Sequence, residues 1–351
     1  MNLRSMIISF GMQAISLTGA DRWLAGAARG RGAILMLHHV RPDAGRGFAP
    51  NALLEVTPGF LDEVLTLAKA EGFCFVPLDE VPERLADPRP DAAPFLALTF
   101  DDGYRDNVVH AQPVLERHGA PWTVFVTSGF ADRTARLWWL ELEEAVRRLD
   151  HVAVDDGDLA FAHPARTDAE KSAAFEQLYW ALRRGPEERL LAVIAGLAER
   201  AGVDGRALVE ELCLDWAEIA ALARVPGVTI GAHTLTHPML AKHDAARARE
   251  EIERSRAIIA ERVGQPVRHF AYPVGDPTSA GPREFAITRE AGFATAVTTR
   301  PGHLFVEHAQ HLTALPRVSL NGLYQTRAAA RALLSGVPFL LWNRGRKLDV
   351  A

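Results

Sequence analysis

The sequence predicts an α/β protein with a parallel sheet, either an α/β barrel or a doubly wound fold. Short apolar runs rich in β-forming residues alternate with helical patterns along most of the chain. The runs are continuously apolar, which is typical of strands covered by helices on both faces. A chain of 351 residues, 48% hydrophobic and 24% charged, can bury a full core.

The first part of the chain contains four predicted strands and two predicted helices. Thr57 is the expected N-cap of the first helix and Gly72 its stop, while the second helix ends at Gly119. The strands are predicted at residues 33–38, 73–77, 94–100 and 122–127, and the helices at residues 58–71 and 107–118.

The same rhythm returns after a long middle section. Strands are predicted at residues 228–232, 268–272, 294–298 and 315–320, and helices at residues 244–263 and 282–291. The middle section, residues 137–211, is mainly helical in pattern, with a hairpin or loop at residues 155–166. We expect residues 31–136 and 212–325 to form the α/β body, residues 137–211 a helical insertion that caps it, and residues 1–30 and 326–351 helical end segments.

Composition and charge limit which binding partners and which cellular compartment we expect for this protein. A net charge of −5 and a pI near 6.2 give no electrostatic reason to expect nucleic acid. Cys74 and Cys213 are the only cysteines, so neither a disulfide framework nor a thiolate zinc site is indicated and a reducing compartment fits. Cys74 lies in an apolar run, where we expect a small buried hydrophobic side chain.

Apolar segments near both ends of the sequence could indicate secretion or contact with a membrane. No apolar run reaches the roughly 18 to 20 residues of a span. Residues 6–17 faintly resemble a secretory signal, but serines interrupt them and no clean cleavage site follows, which favours a helix packed on the body. Residues 337–342 precede Arg344, Arg346 and Lys347 and could touch a membrane surface, although a tail packed on the body is the simpler interpretation.

Polar residues follow the predicted strands where each strand ends. In the order of the chain they are His38 and His39, Asp101 and Asp102, His233, the segment Tyr272-Pro273-Val274-Gly275, and Arg317 within the last strand. Ligand sites of parallel α/β proteins form at the carboxyl ends of strands. We therefore expect one site to collect these residues.

Two of these segments suggest a metal site with a general base. Adjacent carboxylates such as Asp101 and Asp102 resist joint ionisation unless a cation neutralises one of them, although such pairs also cap helices. His233 and His237 have the spacing of two imidazoles on one face of a helix, but Pro238 leaves an irregular turn open. Together they offer three metal ligands and a spare carboxylate, the equipment for metal-assisted hydrolysis.

Two further features have alternative interpretations. The Tyr272–Gly275 segment predicts a tight turn that is either purely structural or points a backbone N–H at a developing oxyanion. Trp138 and Trp139 either pack the cap or stack on sugar faces, and packing requires no further function.

With these motifs assembled, the chain resembles a polysaccharide deacetylase of the NodB-homology class, carbohydrate esterase family four, over residues 34–320 without the insertion. Thr99-Phe100-Asp101-Asp102-Gly103 matches its first motif, residues 233–237 the second, Pro273-Val274-Gly275 the third and residues 292–297 the fourth. The resemblance implies a distorted (β/α) barrel with a helical insertion. It implies Asp101 as general base, Asp102, His233 and His237 as metal ligands, and the Val274 N–H as oxyanion donor. The substrate contacts expected with it are Tyr104, Tyr272, Pro273, Val274 and Gly275.

The chain departs from the family pattern at two catalytic positions. Ala271 stands about where the third motif commonly carries an arginine that braces the base, and we expect Arg317 to reach Asp101 instead. The usual histidine of the last motif is missing near Leu320, so His38 is the expected general acid, with His39, His303 and His311 as weaker candidates.

The resemblance implies a hydrolase of carbon–nitrogen bonds that removes N-acetyl groups from an amino sugar in an exopolysaccharide, another cell-envelope glycan or a chitooligosaccharide. The expected cofactor is a divalent metal, Zn²⁺ by ligand preference, with Co²⁺, Mn²⁺ or Fe²⁺ suited to the same donors. A catalytically weak carbohydrate-binding module and a hydrolase of a non-sugar amide stay open as alternatives. We expect a bacterial protein that lies in the cytoplasm. Whether it also associates with a membrane surface stays open, and secretion is the less favoured alternative.

Overall fold

The computed structural model describes residues 3–87, 89, 92–157 and 159–350. Seven parallel strands form a closed barrel, because the first strand pairs with both the last strand and the 95–100 strand. The strands in chain order are β1 Gly32–Leu37, β2 His39–Val40, β3 Glu55–Val56, β4 Cys74–Phe75, β5 Phe95–Phe100, β6 Trp122–Val126, β7 His151–Asp155, β8 Ala160–Pro164, β9 Val228–Ala232, β10 His269–Ala271, β11 Thr295–Pro301 and β12 Leu315–Ser319.

The barrel order is β1-β12-β11-β10-β9-β6-β5, with β5 returning to β1. The barrel is distorted, because it has seven strands and because the pairing of β11 with β12 contains a register shift. The predicted distorted (β/α) barrel is thereby confirmed. Outside the barrel, β2 pairs with β3 and β7 forms an antiparallel hairpin with β8, where a hairpin or loop was expected.

Helices surround the barrel and form most of its two flanking segments. They are α1 Leu3–Leu17, α2 Ala20–Trp23, α3 Ala25–Ala28, α4 Pro58–Ala70, α5 Val81–Ala86, α6 Gln112–His118, α7 Ser128–Ala131, α8 Trp138–Arg148, α9 Asp168–Arg184, α10 Glu187–Arg200, α11 Gly205–Leu212, α12 Trp216–Leu222, α13 Ala245–Val263, α14 Pro282–Glu290, α15 Arg327–Ser335 and α16 Val337–Trp342. Thr57 caps α4 by accepting from the Phe60 N–H, as predicted. No helix within the described residues is long and apolar enough to span a bilayer.

The predicted strand at residues 73–77 is the least accurate of the eight. Only Cys74 and Phe75 are extended, and they pair with the start of β5 outside the closed ring. Because β4 is a short edge strand, the Cys74 side chain is exposed, and the expectation that it is buried was wrong. The helix predicted at residues 107–118 begins as a π-helical turn, Asn107–Ala111, before α6.

Alternation along the strands separates two parts of the core. Every second residue faces the barrel interior, which six strands fill with Ile34, Ala97, Phe125, Ala271, Val297 and Leu315. The residues between them face the surrounding helices in a larger apolar cluster. The helices of the insertion, residues 137–211, form a third cluster that reaches Tyr104, Phe130 and Met239 at the mouth of the barrel.

Candidate active site

The period of two along the strands explains why polar side chains meet at the barrel mouth. Asp101 continues the inward-facing series through Ala97, and Arg317 follows the inward-facing Leu315 in β12. His38 stands in the same relation to Ile34. His38 and Asp101 directly follow the carboxyl ends of β1 and β5, and Arg317 lies in the middle of β12, with all three side chains above the apolar interior.

Asp102, His233 and His237 form a compact group of buried donor atoms. The Asp102 Oδ1 lies 3.5 Å from the Nε2 of His233 and 3.3 Å from the Nε2 of His237. Tetrahedral donors that are each about 2.1 Å from a zinc ion lie about 3.4 Å apart. The Asp102 Oδ1 is also buried without a hydrogen-bond partner within the described residues. A buried carboxylate oxygen left in this state fits a divalent cation.

Hydrogen bonding and burial prepare the His233 imidazole for this task. The Nδ1 of His233 lies 2.7 Å from the carbonyl oxygen of Ala271, so an Nδ1–H donates there and leaves the Nε2 lone pair free. Burial lowers the pKa of His233 to about 4. Burial by itself would raise the pKa of Asp102, but the His237 imidazole 3.3 Å away, together with His38 and His233, outweighs burial and lowers the pKa. The group therefore presents a carboxylate and a neutral imidazole at neutral pH.

Asp101 faces a different partner. Arg317 donates one 2.7 Å hydrogen bond to each carboxylate oxygen of Asp101, and both side chains are almost fully buried. Burial would raise the pKa of Asp101, but the charge and hydrogen bonds of Arg317 outweigh burial and lower it. A further donation from Arg317 Nε to the Thr298 carbonyl, 2.8 Å long, fixes the guanidinium. The arrangement keeps Asp101 ionised beside the Asp102 group.

His38 lies at the edge of this pair. Its Nε2 is 3.9 Å from the Asp101 Oδ2, and its side chain lines the cavity over the site. Burial lowers the pKa of His38, although the carboxylates of Asp101 and Asp102 act in the opposite direction. The imidazole is therefore neutral at neutral pH and able to accept or carry a proton.

The backbone of the site is strained. Six described residues other than glycine have positive φ, and Asp102, Thr234, His237 and Val274 are four of them. Val274 has a φ of 60° although β-branched residues strongly disfavour that region. Such strain persists only where the surroundings enforce it and is concentrated at functional sites.

The turn at residues 273–275 is built around Gly275. Its φ is +65°, and a Cβ atom there would lie 2.8 Å from the Thr299 nitrogen and 2.9 Å from the Tyr272 oxygen. Thr299 holds the turn by donating from its hydroxyl to the Val274 carbonyl and from its N–H to the Gly275 carbonyl. The Val274 N–H has no acceptor within the described residues, and Val274 lines the cavity.

Two expected substrate contacts need correction. Tyr104 is fully buried and stacks on His39 with ring centroids 3.6 Å apart, so it lies beneath the cavity rather than in its wall. Tyr272 is buried between the barrel and α14, where it packs against Phe285, and it donates to the Thr313 carbonyl. Pro273 and Gly275 shape the turn without lining the cavity, which leaves Val274 as the member of this set that a substrate can reach.

The other histidine candidates lie elsewhere. His39 pairs with Asp106 at 2.6 Å, and His303 lies between the carbonyl oxygens of Arg29 and Leu333. His311 lines a separate cavity beside α14. His38 is the candidate general acid that the structure brings to the Asp101 side chain.

Two buried glutamates that sequence reasoning missed hold the His233–His237 segment and the residues that follow it. Glu251 on α13 accepts from the N–H groups of Leu235 and Thr236 and from the Thr236 hydroxyl. Glu187 on α10 accepts from the Met239 N–H and lies 2.6 Å from the His243 Nε2. The sequence does carry a signal for Glu251, because the helical period places it on the buried face of α13.

One cavity of about 660 Å³ is lined by the metal-donor candidates, the candidate base and the candidate acid. The barrel contributes His38, Asp101, Asp102, His233, His237 and Val274 to its wall. Helices α8 and α9 of the insertion add to the lining with residues that include Trp138 and Trp139, and the Trp139 ring centroid lies 4.8 Å from that of His237. The site is therefore a cleft with ionisable groups at the barrel side and aromatic rings at the insertion side.

Comparison with known proteins places the chain among glycan deacetylases. Residues 89–295 match the family model described as polysaccharide deacetylase. The deacetylase PplD of Streptococcus pyogenes, solved with acetate, is 20% identical and has a TM-score of 0.54, with 83% of this chain and 92% of that chain covered. IcaB from Ammonifex degensii is 19% identical with a TM-score of 0.54, covering 87% and 98%. BC0361, a polysaccharide deacetylase from Bacillus cereus, is 16% identical with a TM-score of 0.52, covering 85% and 68%. At these identities the likeness establishes the fold. No curated protein matches the sequence.

Proposed function

The chain belongs to the polysaccharide deacetylase family, whose members are hydrolases of non-peptide carbon–nitrogen bonds, and from this premise we propose a metal-dependent N-deacetylase of amino sugars. The proposed substrate is an N-acetylated exopolysaccharide, another cell-envelope glycan or a chitooligosaccharide. The observation that carries the proposal is the buried Asp102–His233–His237 donor group beside the Asp101–Arg317 pair in one cavity.

Asp102, His233 and His237 would hold a divalent cation, Zn²⁺ by the preference of these donors, with Co²⁺, Mn²⁺ or Fe²⁺ as alternatives. A cation held there supplies a Lewis acid for the acetamide carbonyl. Asp101 removes a proton from the attacking water, and Arg317 keeps that carboxylate ionised. The Val274 N–H stabilises the negative charge that develops on the carbonyl oxygen.

His38 completes the proton transfer. Its neutral imidazole lies 3.9 Å from Asp101, so it can receive the proton taken from water and deliver it to the departing nitrogen. The carbon–nitrogen bond breaks, acetate is released, and the sugar retains an amine. Water is consumed, and each proton returns to a product.

The test combines acetate release with metal content. Purified protein reconstituted with Zn²⁺ is expected to release acetate from N-acetylated oligosaccharides. Asp101→Asn should abolish turnover and keep the metal, because Asp101 is not a ligand, whereas His233→Ala should lose both. Equal metal loss in the two variants would contradict the assigned roles. Metal retention without acetate release by the unaltered protein would favour a binding module.

We also propose that one surface of the protein contacts an anionic membrane. The solvent-facing stripe of α1 includes Phe10 and Leu17, which are 73% and 88% exposed, and α1 packs against α15 and α16. Trp23 and Leu341 extend this apolar surface, which we call the terminal face. Exposed cationic residues border it, namely Arg22, Arg344 and Arg346, and α1 contains no acidic residue. Apolar and aromatic side chains beside cations are typical of helices at lipid interfaces.

Sedimentation with vesicles tests this contact. The protein should sediment with vesicles that contain phosphatidylglycerol and less with phosphatidylcholine alone. The double variant Phe10→Ser/Leu17→Ser should stay in the supernatant, whereas Val109→Ser, which alters an exposed apolar residue on another surface, should not change binding. Equal sedimentation of all three, or a stable dimer that Phe10→Ser/Leu17→Ser dissolves, would overturn the membrane proposal.

A further inference from the structure

Helix α9 of the insertion presents one continuous face to the catalytic cavity. Six of its residues line the cavity, at spacings of three and four: Ser172, Phe175, Glu176, Tyr179, Trp180 and Arg183. This spacing corresponds to a single stripe of an α-helix. A capping box at Thr167 and Glu170 fixes the start of the helix. The stripe therefore forms one wall of the cavity that the metal-binding donors also line.

Aromatic rings make up much of this wall. Tyr179 stacks on Phe175 and on Trp138 of α8, with centroid distances of 5.7 and 5.8 Å. Trp180 meets Tyr179 edge-on and remains 47% exposed at the cavity rim. A large aromatic side chain left half exposed beside a cavity is characteristic of a binding surface. Such rings can pack against the apolar C–H face of a sugar.

Three buried N–H donors of the wall lack acceptors within the described residues, and two of them lie beside Tyr179. The Trp138 Nε1 and the Arg183 Nε have no hydrogen-bond partner within the described residues, and these residues are only 4% and 8% exposed. The remaining Arg183 nitrogens are engaged, with Nη1 3.1 Å from the Tyr179 hydroxyl and Nη2 3.0 Å from the Asp276 Oδ2. Buried donors without partners are costly. A ligand that brings neutral oxygen acceptors would satisfy the two beside Tyr179.

The charges around the wall select an uncharged ligand. Asp276 already neutralises Arg183, and Glu176 adds an exposed carboxylate to the same wall. Asp101 and Asp102 add negative charge across the cavity. An anionic group would meet no free cation in this wall, whereas hydroxyl and ether oxygens would find the two donors.

We propose that the α9 face is a subsite for an uncharged pyranose unit adjacent to the one that is deacetylated. This inference rests on the proposed function, because it assigns the neighbouring part of the same glycan. The barrel then performs the hydrolysis and the insertion selects oligomers over monomers. The cavity of about 660 Å³ lies within the range that holds ligands of several rings.

Kinetics on substrates of increasing length test the subsite. Trp180→Ala should lower kcat/KM for acetate release from N-acetylglucosamine oligomers about tenfold, the equivalent of about 1.4 kcal/mol. It should leave release from N-acetylglucosamine itself unchanged, because the monomer does not reach α9. Trp138→Phe removes the buried donor and part of the ring that stacks on Tyr179, and it should lower kcat/KM for the oligomers in the same selective way. The matched control Trp23→Ala, at an exposed tryptophan of the terminal face, should change neither substrate.

A binding measurement separates this proposal from the proposed function. Calorimetric titration of the oligomers into Asp101→Asn protein should show binding that Trp180→Ala weakens by a similar factor. If no glycan releases acetate but this selective binding is found, the subsite stands and the deacetylase assignment falls. If acetate is released and Trp180→Ala affects monomer and oligomers equally, or neither, the subsite is overturned and the deacetylase assignment stands.

Discussion

Arg317→Met removes the cation on which the charge of Asp101 depends. In the native protein two 2.7 Å hydrogen bonds join these side chains, and both are almost completely shielded from water. Removing one partner of a buried ion pair typically costs about 3–5 kcal/mol, because the other charge is left uncompensated. The Asp101 carboxyl can avoid much of that cost by binding a proton. Since one pKa unit corresponds to about 1.4 kcal/mol, an avoided cost near 3 kcal/mol raises its pKa by about two units.

The expected readout is the acidic limb of the pH profile for kcat/KM. In the native protein the pKa of Asp101 is lower in the folded state than in the unfolded chain. The ionised Asp101 carboxylate therefore stabilises the fold above its unfolded pKa, and this stabilisation is lost as the pH falls through the pKa of the folded state. In Arg317→Met the base becomes protonated at higher pH, and the limb should move upward by about two units. Arg317→Lys keeps the charge without the paired geometry and should show a smaller shift.

Urea unfolding supplies an independent check of the same pair. The substitution Arg317→Met should lower the free energy of unfolding more in the native background than in the Asp101→Asn background. The Asp101→Asn protein has no carboxylate that the substitution could leave buried without a partner. An unshifted acidic limb in an active Arg317→Met protein would refute the idea that Arg317 sets the ionisation of Asp101. Equal destabilisation in both backgrounds would show that Arg317 acts only through packing.

Three further predictions concern the supports of the site and the acid limit of the fold. Glu251→Ala should weaken Zn²⁺ affinity by about 10- to 100-fold in a chelator competition, because that carboxylate holds the loop of the histidine ligands. The control Glu250→Ala should leave the affinity unchanged, because the Glu250 side chain is 41% exposed and pairs only with arginines of its own helix. Gly275→Ala should lower stability more than Gly264→Ala in urea unfolding, because both glycines have positive φ but only the first lacks room for a Cβ; equal losses would contradict the close approach. Burial lowers the pKa of His308 to about 4, below its unfolded value of about 6.5, so protonation favours the unfolded chain and stability should fall by up to about 3 kcal/mol as the pH drops through this interval. His308→Asn should reduce that pH dependence, and an identical dependence in both proteins would exclude His308 as its source.

Much of the architecture could be predicted because its causes are local. Continuous apolar runs such as residues 95–100 form strands that are buried on both faces, one against the barrel interior and the other against the helices. The period of two turns Asp101 inward once Ala97 faces inward. Barrel closure then brings Asp101 beside Arg317, although they are far apart in the chain. The convergence of polar residues follows from strand ends alone, before any tertiary contact is known.

The wrong expectations arose where a residue's neighbours in the sequence were taken as a guide to the surroundings of its side chain. Tyr104 follows the Asp101–Asp102 motif directly, but positive φ at Asp102 and Gly103 turns the chain and sends the tyrosine into the core. Cys74 lies in an apolar run, but its strand is an edge strand and its side chain is exposed. Such outcomes depend on turn geometry and sheet order, which side-chain periodicity does not encode.

The strain in the site indicates that the protein itself, rather than the cation, sets the donor geometry. Asp102, Thr234, His237 and Val274 adopt a conformation that costs of order 1–3 kcal/mol at each residue. Hydrogen bonds from distant elements offset that cost: Glu251 of α13 holds the histidine loop, and Thr299 of β11 holds the Val274 turn. These contacts involve no donor atom of the metal group, so binding of a cation does not require any of them to break. The donors are thus held in position by the fold, which is how a short constellation of side chains can be aligned for catalysis before substrate arrives.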